Sequence, residues 1–176
     1  MAENIEIKAR CLDFIATQRR VQKLASGYLG SDFQTDTYFQ VKNGRLKLRE
    51  SRLDGAYLIP YIRPDKSGPK NSLYTKIKID NPDEVKNLFH NMFGIHVVVC
   101  KKRDIYTIEN VRIHLDKVDH LGTFIELEAL LKPPHSDPRH EKKRVNELME
   151  TLHINKNDLI AESYESLLKM QDKTFT

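Results

Sequence analysis

At 176 residues the chain is one domain of ordinary size, long enough to bury a single core. Charged residues make up 31% and hydrophobic ones 39%, with the aliphatics recurring in ordered patterns, which excludes a disordered chain. The net charge of +4 is spread along strands, the two cysteines form no disulfide framework or zinc motif, and no run approaches 18 apolar residues.

These features predict a cytoplasmic, reducing-compartment protein with no membrane or nucleic-acid partner. In chain order, a strand over 4–10 comes first, then Asp13 caps a helix in which Phe14, Val21, Leu24 and Tyr28 recur, with Gly27 and Gly30 near its end. A strand over 34–42 reaches the Asn43-Gly44 turn, and 45–51 returns as its partner. Asp54-Gly55 leads into 56–63, where Pro60 marks an edge strand or a bulge. Residues 64–72 read as the clearest loop, and 73–79 as a strand. Asn81-Pro82 opens a helix that ends near Gly94. Four strands follow, 95–101, 103–108, 111–118 and 123–131, and Pro133-Pro134 closes the sheet. Two helices, about 137–152 and 157–170, precede six frayed residues.

Alternation sorts charge by face, because neighbouring side chains of a strand point to opposite sides. Glu6, Lys8 and Arg10 share a face, as do Arg45, Lys47 and Arg49; so do Arg112, His114 and Asp116, and then Glu126 and Glu128. The opposite faces are Ile, Leu and Ala. One strand is wholly basic and another wholly acidic, which suits a concave surface for a polyanion and its metal ion. The fold class this predicts is α+β: an eight-stranded antiparallel β-barrel enclosing a charged tunnel, its strands within 4–131, with helices packed outside on the aliphatic faces.

The stretch Asn4-Ile5-Glu6-Ile7-Lys8 resembles the Glu-x-Glu-x-Lys motif that opens CYTH domains, the triphosphate tunnel metalloenzymes. Residues 36–39, 44–50, 61–63, 101–103, 114–116, 121–128 and 163–168 are similar to the same family in order, closest to its class IV adenylate cyclase-like branch. The resemblance covers residues 1–176 as a single domain. It implies the barrel, a Mg²⁺ or Mn²⁺ cofactor, and a small-molecule triphosphate as partner: ATP, tripolyphosphate or thiamine triphosphate. Family barrels often pair, which implies a homodimer without showing its interface.

Glu6, Glu126 and Glu128 are the implied metal ligands, since hard divalent ions prefer carboxylate oxygen. Lys8, Arg45, Lys47, Arg49, Arg63, Lys101, Arg103 and Arg112 are the expected phosphate binders. Asp116, Lys8 and Arg103 carry the expected catalytic roles, Asp116 as base or further ligand. Arg112 has Asp116 as an alternative partner, and His114 reads as a hydrogen-bonded structural residue. Lys66 and Lys70 read as solvated loop residues, with a lid over the tunnel as the sharper alternative. Tyr164 and Leu167 read as helix packing, and Lys142-Lys143-Arg144 as a solvated face. No P-loop, His-Glu-x-x-His or Gly-x-Ser-x-Gly motif is present. One departure matters: Asn4 stands where the family motif has its first Glu. The resemblance implies conversion of ATP into cyclic AMP and pyrophosphate, with triphosphate hydrolysis as runner-up. Asn4 keeps a third reading open, a non-catalytic polyphosphate or nucleotide binder.

Overall fold

Period-2 alternation turns most of the chain into strand, and tight turns make each strand pair with its predecessor. In the computed structural model, which describes residues 2–65, 67–131 and 137–172, the elements run as follows. Strand β1 (Ala2–Arg10) leads to helix α1 (Phe14–Leu24), then to β2 (Gly27–Phe39), β3 (Arg45–Ser51), β4 (Gly55–Ile62), β5 (Lys70–Tyr74) and β6 (Ile77–Ile79). Helix α2 (Pro82–Phe93) separates these from β7 (Ile95–Ile108), β8 (Val111–Val118) and β9 (Gly122–Leu131); α3 (Pro138–Thr151) and α4 (Tyr164–Asp172) end the fold.

The strands pair antiparallel in the order β3-β2-β7-β8-β9-β1-β5-β4, and β4 pairs back to β3. The ring therefore closes on eight strands and leaves no open edge in it. The short β6 pairs with β4 over Ala56–Leu58, on the edge that β5 joins at Tyr61 and Ile62.

The aliphatic faces point outward. Ile5, Ile7, Ala9, Ile113, Leu115, Ile125 and Leu127 pack against Val21 of α1 and Val145 and Met149 of α3. A second cluster, Tyr38, Val99, Val118, Phe124, Ile160 and Tyr164, closes one end of the barrel beneath α4. The Phe124 and Tyr164 rings meet edge to face at 4.9 Å there.

Several boundaries differ from expectation. The first helix ends at Leu24; Tyr28, Gly27 and Gly30 belong to β2, whose backbone is pinned by pairing along the whole of β7. The expected pair of strands over 95–108 is one continuous β7, since no turn residue interrupts it. The expected strand over 73–79 is two strands. Lys70 was expected in a loop but sits in β5, opposite Glu6 of β1, and is buried. Tertiary pairing overrides the loop-like composition there. The expected helix over 157–170 begins only at Tyr164; Leu159 instead bridges to Ala9, and Ile160 donates its N–H to the Lys8 carbonyl at 2.9 Å. Lys66, Pro133-Pro134 and residues 173–176 lie outside the described residues. Among the described residues no helix is long and apolar enough to cross a membrane.

Candidate active site

The barrel encloses a cavity of about 470 Å³. Among the described residues, eight Lys and Arg side chains line it against five Asp and Glu. An excess of cations in a partly dry site favours a polyanion. Lys8, Lys47, Arg49, Arg63, Lys101, Arg103 and Arg112 are on its wall, as are Glu6, Glu126 and Glu128. Arg45 is not; it sits beyond the wall, bonded to Asp65 at 2.6 Å and to Glu165 of α4 at 3.3 Å.

The cations are organised around two buried carboxylates. Asp36, 1% exposed, receives Arg49 through two bonds of 2.6 and 2.7 Å, Lys47 at 2.9 Å and Lys101 at 3.2 Å. Burial alone would raise the Asp36 pKa, but Arg49, Lys101 and Lys47 together hold it well below the carboxylate range. Burial, reinforced by Arg49, pushes Lys47 down to about 7, and burial brings Lys101 down to about 8.

Asp116, fully buried, is gripped by Arg103 at 2.7 and 2.5 Å and by the Tyr164 hydroxyl at 2.8 Å. A base or ligand role for Asp116 requires one of these bonds to break. Arg112 does not pair with Asp116; it is exposed at the other end of β8. Arg103 also reaches Glu126 at 2.6 Å, and Lys8 lies 3.3 Å from the other Glu126 oxygen. Burial opposes ionisation of Glu126, yet Arg103 and Lys8 hold its pKa well below normal. Lys8 also stands 3.8 Å over the Tyr164 ring, and burial lowers its own pKa.

The metal expectation rests on the β1–β9 wall. Glu6 is bonded to Arg63 at 2.7 Å, and Glu128 accepts a hydrogen bond from Asn4. His114 lies between Glu126 and Glu128, 3.6 and 3.9 Å away. Among the described residues no three acidic, His or Cys side chains are already gathered as a metal cluster. The donor types nevertheless fit a hard divalent ion: Glu6 and Glu128 offer carboxylate oxygen, and the buried Asn4 Oδ1 has no hydrogen-bond partner.

Two site residues escaped the sequence reading. Asp36 lies on the inward face with Gln34 and Tyr38, so its alternation was the available signal. Tyr164 had none, because only the return of the chain across the barrel end brings it to Asp116. The same return places Lys70 against the carbonyls of Ile160 and Ala161, at 3.5 and 3.1 Å.

The sequence matches the model of a family described as the CYTH domain over residues 2–164. A Methanocaldococcus jannaschii protein described as a candidate adenylate cyclase is 28% identical over 93% of this chain and 97% of its own length. A solved Pyrococcus horikoshii protein superposes with a TM-score of 0.83 at 25% identity, covering 93% of this chain and 98% of that one. A Hippeastrum protein, described as a candidate adenylyl cyclase with a dominant triphosphatase activity, shares the fold: TM-score 0.68, 15% identity, 97% of this chain and 96% of that one.

Proposed function

The chain belongs to the CYTH domain family, and from that premise we propose that it is a metal-dependent enzyme acting on a triphosphate held in the tunnel, converting ATP into cyclic AMP and pyrophosphate. The observation that carries the reading is the convergence of Lys8, Lys47, Arg49, Arg63, Lys101 and Arg103 on one cavity. The name of the M. jannaschii relative favours cyclisation; the activity described for the Hippeastrum protein favours the second reading, hydrolysis of tripolyphosphate or thiamine triphosphate.

In the cyclase reading the ribose 3′-oxygen forms a bond to the α-phosphorus, and the bond from that phosphorus to the bridging oxygen breaks. Negative charge grows on the departing pyrophosphate. Arg49, Lys47 and Lys101 neutralise it as one group positioned by Asp36. Arg103 and Lys8 supply charge at the opposite wall, with Asp116 holding the Arg103 fork in a fixed plane. Glu6 and Glu128, with Glu126 and the Asn4 oxygen beside them, would hold Mg²⁺ or Mn²⁺, whose chemistry is Lewis-acid stabilisation of phosphate oxygens.

Product analysis by ion-exchange chromatography tests this. The protein is incubated with ATP, tripolyphosphate or thiamine triphosphate, with Mg²⁺, Mn²⁺ or chelator. Metal-dependent cyclic AMP is expected from ATP. Orthophosphate without cyclic AMP selects the hydrolase, and tight binding without any product selects a binder.

A further inference from the structure

The two ends of the tunnel differ in chemistry. One is closed by residues 160–165 beneath α4, whereas the other is open and rimmed by apolar side chains. Leu29 and Leu53 line the cavity yet are 57% and 55% exposed, and Ile105 lines it with them. Exposed leucines on the rim of a charged tunnel contribute nothing to holding phosphate.

Both leucines are placed by specific devices. The β2–β7 register shifts between Tyr28 and Gly30. Tyr28 therefore packs outside on Tyr106, at 4.7 Å between centroids, and Leu29 joins the lining instead of the outer face. Gly30 has φ +122°, and a Cβ there would lie 3.2 Å from a Leu53 methyl. Leu53 belongs to the β3–β4 turn, which buried Asp32 fixes. Its Oδ1 accepts the Arg52 and Leu53 N–H groups at 2.9 and 3.2 Å, and its Oδ2 accepts the Ser51 hydroxyl at 2.6 Å. Asp32 also takes the Gln34 amide N–H at 2.7 Å, leaving the buried Gln34 Oε1 without a partner. Gln34 sits on the tunnel wall, paired in register with Lys101 of the phosphate-binding group. A buried acceptor left unmade is costly, and a ligand hydroxyl would satisfy it.

We propose that this mouth is a nucleobase subsite. The base stacks among Leu29, Leu53 and Ile105, a ribose hydroxyl donates to Gln34 Oε1, and the triphosphate extends inward to Lys101, Arg49 and Arg103. The assignment rests on the tunnel being a triphosphate site, and it makes the ligand a nucleoside triphosphate instead of an inorganic one.

Calorimetric titration with α,β-methylene ATP, tripolyphosphate and thiamine triphosphate tests it, on the native protein and on L29A/L53A. Both positions are exposed, so the variant keeps its fold, checked by thermal melting. Truncating both leucines is expected to weaken the ATP analogue about tenfold or more while leaving tripolyphosphate within about twofold. Unchanged affinity for the analogue, with tripolyphosphate still bound, overturns the subsite and leaves the tunnel reading intact. Weakening confined to thiamine triphosphate overturns the nucleoside assignment. Failure of the native protein to bind any of the three overturns both.

Discussion

Removing the carboxylate of Asp36 is the sharpest perturbation of the site's electrostatics. D36N keeps the shape and leaves Arg49, Lys47 and Lys101 facing one another without their shared counter-charge. Breaking a buried ion pair from one side costs about 3–5 kcal/mol. The lysines can relieve part of this, since Lys47 titrates at about 7 and Lys101 at about 8 even with Asp36 present. Arg49 cannot give up its proton. The penalty is therefore largest where both lysines stay charged, near pH 6, and falls towards about 3 kcal/mol by pH 9. The sign follows from linkage: in the fold these lysines lose protons below their unfolded pKa of 10.5, so the unfolded chain binds more protons and stability rises with pH. D36N extends that window downward. For a chain of this length the loss corresponds to a drop in Tm of roughly 6–20 °C.

The assay is urea unfolding of both proteins at pH 6 and pH 9, without and with tripolyphosphate. Added polyanion should restore more stability to D36N than to the native protein at equal saturation, because it replaces the missing charge. A loss below about 1 kcal/mol at pH 6, or one that does not change with pH, refutes the view that Asp36 holds three charged side chains together.

Other outcomes follow from the same geometry. Tripolyphosphate binding to the native protein should weaken as pH rises from 7 to 9, by up to about tenfold per pH unit for each lysine that must regain its proton; calorimetry in buffers of different ionisation enthalpy should show proton uptake, and pH-independent affinity would contradict it. Tyr164→Phe removes the hydroxyl that donates to buried Asp116, and should cost about 1–3 kcal/mol and lower turnover with little change in KM; an unaltered turnover would return Tyr164 to simple packing. Asn4→Glu replaces the donor to Glu128 with a like charge. It should lower Tm without metal and raise Mn²⁺ affinity in a fluorescence-quenching titration, and unchanged Mn²⁺ affinity would remove Asn4 from the metal question.

The barrel was legible because its strands obey a strict two-residue period with charge on one side. From Glu6-Ile7-Lys8 through Glu126-Leu127-Glu128, the phase that the sequence implies is the phase observed on the cavity wall. Where that period was interrupted, local reading failed. Leu24 and Tyr28 stand four apart and mimic a helix stripe, yet pairing with β7 makes 27–31 strand. The register shift there, which turns Leu29 inward, has no local signature beyond Gly30. Lys70 lies among Pro, Gly and Ser residues and only its pairing with β1 makes it strand.

Partner choice was the other hidden layer. Alternation places Arg103 and Asp116 inside but does not say that they grip each other, or that a tyrosine arriving from residue 164 completes the pair. The same holds at the open mouth. Asp32 lies inward by phase, as a phosphate-tunnel acid would, but its bonds go to the β3–β4 turn and to Gln34. A carboxylate in a cationic tunnel that binds none of the cations has a different task, and the residues it fixes, Leu53 and Gln34, face the part of the ligand that is not phosphate. Charge sorting along the strands thus encodes affinity for the polyanion, whereas the turn and the bulge at the mouth encode what may be attached to it.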